Sequence, residues 1–262
     1  MSKLGIIRIK QDIDKMNPHE HHLEFNSDGL ILKGRLHLPK TKNPPLVVGS
    51  HGLEGSLKSA KQETLARLLP QRGMAFFRFD HRGCGESQGE FVKETSLEKR
   101  TRDMISAVGY VLDLGLTSRQ VGLFGSSMGG AACINAWQQL ENRNLTLCGA
   151  VLCAAPVMSG TIENIPHDAT ENRPALPLSF FEENLLFDLR DKARALHHLL
   201  IFHGDADEVV PVSNGRTLHD AARKPKSFIC QKGGGHRMDK ADHQAQFEAL
   251  VPDWYRAMFT PG

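Results

Sequence analysis

Val121-Gly-Leu-Phe-Gly-Ser-Ser-Met-Gly-Gly130 sets four apolar or small residues ahead of two serines boxed in by glycines. The opening residues read as a buried strand, and Met128–Leu140 carries a helix-like pattern behind them. Between the two, Gly125-Ser-Ser-Met-Gly129 fits G-x-S-x-G with Ser127 at its centre. Such a strand-to-helix reversal is sharp enough to strain the central residue, and the flanking glycines have no Cβ to clash. The spacing predicts that the Ser127 hydroxyl points away from the sheet, with the Met128 N–H opening the helix into the same space. Ser126, at the x position, should point elsewhere.

The same strand–turn–helix texture extends outward on both sides. Leu46–Ser50, Ala75–Phe79, Ala150–Ala154, Leu199–Phe202 and Ser227–Cys230 are short, mostly apolar runs that end in polar or glycine-rich turns. Helix-like stretches cover Ser59–Arg72, Ser96–Leu114, Ser213–Ala222 and Asp239–Phe259. The alternation predicts an α/β fold with a mostly parallel central sheet and helices on both faces. Ahead of it, Leu23–Phe25 and Leu30–Leu38 read as an antiparallel pair with one wet face. Residues 1–21 read as an irregular, charged lead-in, and the core is expected over 22–155 and 197–262. Residues 156–196 break the rhythm with Pro156, Pro166, Pro174 and Pro177, then Phe180-Phe181 and a helix-like Glu182–Leu196. That length is too great for a connection and too small for a domain, so a small inserted lid is expected, with Phe180 and Phe181 as apolar wall.

In such a sheet, ligands gather beyond the carboxyl ends of the strands. A serine hydroxyl is a weak nucleophile at neutral pH and needs a base, which in turn needs an orienting acid. Two later strand ends supply candidates in the order Ser…Asp…His. His203-Gly-Asp-Ala-Asp-Glu-Val-Val-Pro211 offers Asp205, Asp207 and Glu208, and Gly233-Gly-Gly-His-Arg237 offers His236 as the base. A third turn, Val48-Gly-Ser-His-Gly-Leu-Glu-Gly55, places backbone N–H groups where they can join that of Met128 as an oxyanion donor pair; Leu53 is the expected partner. His51 is expected to pack beneath that loop.

Composition excludes several other classes. The 32 basic against 30 acidic residues leave a formal charge of +2 with no basic run, which gives nucleic acid no electrostatic hold. Leu4–Ile7 is cut short by Arg8 and Lys10, so no membrane span is expected. Five scattered cysteines form neither a disulfide framework nor a CxxC metal pattern, which predicts a reducing, cytoplasmic setting. Gly83-Cys-Gly-Glu-Ser-Gln-Gly89 has its third glycine one place late for a dinucleotide loop. The pairs His21-His22 and His197-His198 are expected to split to opposite faces and to hold no metal.

With these motifs in order, the chain resembles serine hydrolases of the α/β-hydrolase fold over residues 22–260. Asp80-His-Arg-Gly-Cys-Gly-Glu-Ser87 and the compact lid are most similar to the group of cinnamoyl and feruloyl esterases, monoglyceride-lipase-like enzymes and serine-aminopeptidase-like hydrolases. The resemblance implies Ser127 as nucleophile, His236 as base, Asp207 as acid and Leu53 and Met128 as oxyanion donors. It implies no cofactor and no metal, a small-molecule ester as substrate, and leaves a homodimer open. Thioesterase, lipase, acyltransferase and peptidase share the same elbow, and a binding protein that has lost catalysis is the rival from another class. The lid is shorter than is usual in feruloyl esterases, so an aromatic acyl preference is not carried over.

Overall fold

The structure, a computed structural model, describes residues 20–164, 167–169 and 175–259. The expected lead-in lies outside the described residues except for Glu20 and His21, which open the first strand, and so do Pro166 and Pro174 of the expected lid. Strands β1 (Glu20–Ser27) and β2 (Leu30–His37) pair antiparallel around a two-residue turn, Asp28-Gly29. Both turn residues have positive φ, 50° and 88°, the twist that lets a two-residue turn join strands without splaying them. Burial alternates strictly along β1, as expected for a strand with one wet face.

The rest of the sheet is β3 (Leu46–Ser50), β4 (Ala75–Phe79), β5 (Gln120–Ser126), β6 (Thr146–Cys153), β7 (Leu199–Gly204) and β8 (Lys226–Gln231). The eight strands stand in the order β1-β2-β4-β3-β5-β6-β7-β8. Only β2 runs against its neighbours. All residues of β3 and β4 are buried, the signature of strands covered on both faces. This is the α/β-hydrolase fold, as the sequence predicts.

The helices are α1 (Ala60–Gln71), α2 (Phe91–Glu94), α3 (Leu97–Leu114), α4 (Met128–Glu141), α5 (Leu178–Asn184), α6 (Arg190–Ala193), α7 (Ser213–Ala221) and α8 (Ala241–Phe259). α1 and α8 cover one face, where Leu65, Leu69, Phe247 and Val251 meet Phe76, Phe124 and Phe202. α3, α4 and α7 cover the other, over Val48, Phe77, Leu123 and Ile201. α3 begins at Ser96, whose Oγ accepts the Lys99 N–H at 3.1 Å, and stops at Gly115 with φ 62°. A side-chain cap at one end and a left-handed glycine at the other fix its length.

The expected helix over Glu182–Leu196 is replaced by α5 and α6. α5 starts four residues earlier because Pro177 has extended dihedrals at its N-terminus and cannot extend it backward. Between them the chain is tied back to the core: Met158 bridges Asp188, and the Leu189 N–H donates to Val157 O at 2.8 Å. These tertiary bonds interrupt the helical run.

Candidate active site

Strand order reverses between β3 and β5, whose turns open side by side at their carboxyl ends. Ser127 sits directly after β5 with φ 52° and ψ −124°, a conformation that non-glycine residues hold only when their surroundings impose it, at about 1–3 kcal/mol. The glycines around it are required by close approach. A Cβ on Gly125 would lie 2.6 Å from Gly130 Cα, and one on Gly129 only 2.2 Å from Ser50 O. The helix start is therefore pressed against both its own strand and the loop after β3. Ser126 remains the last residue of β5, paired with Cys153.

Two other strand ends meet Ser127. His236, in the loop after β8, brings Nε2 to 3.0 Å from Ser127 Oγ. Its Nδ1 lies 2.9 Å from Asp207 Oδ2 and 3.0 Å from Oδ1, in the loop after β7. Because an ionised carboxylate only accepts, Nδ1 carries the proton and Nε2 is left to accept from the serine hydroxyl. Asp207 also accepts the N–H groups of Val209 at 3.0 Å and Val210 at 2.8 Å. On its other side stands the buried His203, with Nε2 at 3.3 Å from Oδ2 and 2.8 Å from Val210 O. Burial pushes the Asp207 carboxyl up, but the hydrogen bonds from His203 and His236 outweigh it and hold the group well below the usual range.

The neighbouring carboxylates have separate tasks. Asp205 accepts the Gly233 N–H, and Glu208 Oε2 accepts the His236 N–H at 3.2 Å. Both fasten the backbone of the histidine loop, whereas Asp207 alone reaches the imidazole ring.

The loop after β3 lies against the serine, with a Cβ on Gly52 falling 3.4 Å from Ser127 Cβ. Among the described residues, neither the Leu53 N–H nor the Met128 N–H donates to a protein acceptor. His51 is buried beneath this loop as expected: Nδ1 donates to Gly52 O at 2.7 Å and Nε2 accepts the His81 N–H at 3.1 Å. Burial, then the neighbouring His81, pull its pKa well below the ordinary value, so it is neutral. Phe180 and Phe181 lie on α5 and are buried in the main core, with Phe180 stacked on Phe91 at 6.0 Å.

Residues of the Asp80–Ser87 turn, with Arg100 and Asp103 that sequence patterning passed over, support the loops. Asp80 binds the Leu57 N–H at 2.7 Å and the Glu86 N–H at 2.9 Å, joining the turn after β4 to the loop after β3. His81 Nε2 accepts from Ser50 Oγ at 2.7 Å, while Nδ1 faces Asp103 Oδ2 at 3.2 Å. Asp103 and Arg100 both come from α3. The available signal was their helical spacing from Leu97, which puts them on the face carrying Met104 and Val108. The pair His197-His198 also departs from expectation. It lies in the loop before β7 rather than on a strand, and its two Nδ1 atoms are 2.9 Å apart. No group of three or more His, Cys, Asp or Glu placed to hold a metal ion occurs among the described residues, and no described helix is long and apolar enough to cross a membrane.

Residues 41–172, half of the chain, match the family described as serine aminopeptidase, S33. The chain is 26% identical over 224 residues to the uncharacterised protein YfhR of Escherichia coli K12, covering 82% of this chain and 72% of that one. It is 25% identical over 217 residues to mouse mitochondrial palmitoyl-protein thioesterase ABHD10, covering 76% and 71% respectively. Among solved structures, Est1E of Butyrivibrio proteoclasticus with ferulic acid bound superposes with a TM-score of 0.76, at 22% identity, over 90% of this chain and 98% of that one.

Proposed function

The chain belongs to the serine aminopeptidase S33 family of α/β-hydrolases, and we propose that it hydrolyses small to medium carboxylic esters through an acyl-enzyme on Ser127. One observation carries this reading: Ser127 Oγ, His236 and Asp207 form an unbroken hydrogen-bonded line, 3.0 Å and then 2.9 Å, at the carboxyl edge of the sheet. His236 takes the hydroxyl proton as Ser127 attacks the ester carbonyl. Asp207 holds the proton on Nδ1 and stabilises the imidazolium that forms. The N–H groups of Leu53 and Met128, without other partners among the described residues, receive the oxyanion. Collapse breaks the ester C–O bond, and His236 returns the proton to the departing alcohol. Water, deprotonated by the same ring, then releases the acid. Every step uses side chains and amides of this chain together with one water.

Residues 156–196, with Phe180 and Phe181, supply the acyl or alcohol pocket in this scheme and take no part in the chemistry. A thioester has the same requirements, and the thioesterase name of the mouse relative makes it the second substrate class to assay. Hydrolysis of p-nitrophenyl acetate and butyrate, with Ser127→Ala and Ser126→Ala compared, tests the proposal. Ser127→Ala should lose about 10⁴-fold or more in kcat, Ser126→Ala should keep most activity, and an organophosphonate should add its mass to Ser127 once per chain. A phosphonate adduct elsewhere, or activity abolished by EDTA with no adduct at all, would overturn it.

A further inference from the structure

Arg100 has no exposed surface, yet among the described residues its guanidinium forms no ion pair with a carboxylate. Its donors go to three consecutive carbonyls of the loop after β3. Nη1 bonds His51 O and Gly52 O, both at 3.2 Å, and Nη2 bonds Leu53 O at 3.0 Å. Cys84 Sγ, at 3.5 Å from Nη2, is its other contact, and Nε has none. Burying a cation is costly unless something specific is gained. A side chain serving only as core filler at this helical position needs no charge.

What the contacts gain follows from the planarity of the trans peptide. A carbonyl and the next residue's N–H point in opposite directions across the peptide plane. Turning Gly52 C=O toward Arg100 therefore turns the Leu53 N–H away from it. Gly52 O is also held by His51 Nδ1 at 2.7 Å and by the Gly55 N–H at 3.1 Å, so this plane is fixed by three donors. A cation on the oxygen side also draws electron density through the amide and strengthens its N–H as a donor. Lysine would be no equivalent, since a single ammonium is a point charge and lacks the planar fork that spans adjacent acceptors.

We propose that Arg100 is a positioning residue for oxyanion stabilisation, clamping the 51–53 peptide planes so that the Leu53 N–H faces the reacting carbonyl. The proposal rests on the reading of Leu53 and Met128 as the donor pair. It makes a residue in the first turn of α3, outside the Ser127–His236–Asp207 line, a determinant of rate.

The test uses Arg100→Lys and Arg100→Gln in the full chain, with active sites counted by phosphonate labelling so that misfolded protein does not enter kcat. Loss of a whole oxyanion donor costs about 10²–10³-fold, and misaiming one is expected to lower kcat by about 10–100-fold with KM within about twofold. Affinity for a trifluoromethyl ketone, whose adduct carries the oxyanion, should fall in parallel with kcat. On a Leu53→Pro background, which lacks the N–H, Arg100→Lys should add less than about threefold. Equal kcat per labelled site in wild type and both variants overturns the proposal, as does a full multiplicative loss on the Leu53→Pro background. If neither variant folds, Arg100 is a residue of the fold and the proposal fails. Failure of the parent reading looks different: the wild-type protein itself would take no phosphonate on Ser127.

Discussion

Replacing Asp207 by asparagine changes one atom's hydrogen-bonding sense in a site where every neighbour is a donor. The carboxylate accepts from Val209 N at 3.0 Å, Val210 N at 2.8 Å, His236 Nδ1 at 2.9 Å and His203 Nε2 at 3.3 Å. An amide has one oxygen for these four contacts. Backbone N–H groups cannot tautomerise, so the amide oxygen should stay with Val209 and Val210, on the Oδ1 side. The NH2 group then takes the place of Oδ2, the nearer oxygen to His236 Nδ1 at 2.9 Å against 3.0 Å for Oδ1, and it favours the tautomer that leaves Nδ1 unprotonated and puts the proton on Nε2. Nε2 is the atom 3.0 Å from Ser127 Oγ, so the base is blocked while the geometry survives.

The expected loss in kcat is about 10³–10⁴-fold, or about 4–5.5 kcal/mol of transition-state stabilisation. Raising the pH should not restore the rate, because the wrong tautomer is already neutral. Asp205→Asn is the matched control, since its amide oxygen can still accept the Gly233 N–H; it should cost less than about threefold. The assay is p-nitrophenyl butyrate hydrolysis from pH 6 to 9, with phosphonate labelling rates alongside. A rate for Asp207→Asn within tenfold of wild type, or equal losses at both positions, would refute the tautomer argument.

Gly129→Ala places a Cβ 2.2 Å from Ser50 O and 2.6 Å from His51 O, so it should push the β3 loop off Ser127, cut kcat by about 10²-fold or more and lower Tm, read by kinetics and thermal melts. His81 has its pKa pulled down to about 4 by burial, then by Arg100. The unfolded chain thus binds the extra proton first, and stability should fall as pH drops from 6.5 to 4 by about 3 kcal/mol from this residue; urea melts across that range should show the slope, and His81→Gln should lessen it, leaving the share of His51. Phe180→Ala with Phe181→Ala, which empties two buried positions, should shift the preferred chain length in a p-nitrophenyl ester series while p-nitrophenyl acetate is still cleaved. Loss of the acetate reaction in folded double mutant would remove the lid from its assigned role.

The parts of this fold that sequence patterning reaches are those governed by local rules. The burial period along β1, the mostly apolar runs of β3 and β4 and the Ser96 and Gly115 ends of α3 all follow from neighbours within a few residues. The serine turn is legible for the same reason, since G-x-S-x-G describes a local steric problem. α5 and α6 are not, because the Met158–Asp188 bridge and the Leu189–Val157 bond that separate them join residues about thirty positions apart. Choosing among Asp205, Asp207 and Glu208 likewise took the fold or a resemblance, since all three carboxylates fit the spacing and only distance to His236 separates them. Arg100 and Asp103 were within reach. They interrupt an otherwise apolar helical stripe, and a charge in such a position asks what it pairs with.

The described residues hold two Ser–His–Asp lines, and the contrast shows why the proposed chemistry belongs to only one. Ser50 Oγ stands 2.7 Å from His81 Nε2, and His81 Nδ1 3.2 Å from Asp103, distances that match the line through Ser127. All three residues are wholly buried, so no ester can reach Ser50. Asp103 already accepts Ser27 Oγ at 2.8 Å and Arg82 Nε at 2.9 Å, and Ser50 O lies under Gly129. Every group of this line has its partner, and its work is to hold the β3 loop from below. The line through Ser127 leaves two amide N–H groups without acceptors among the described residues, beside the partly exposed Ser127. Polar groups left unsatisfied at a strained turn cost stability in the resting protein. They lower the barrier only when a carbonyl oxygen arrives carrying developing charge, which is where the proposed reaction needs them.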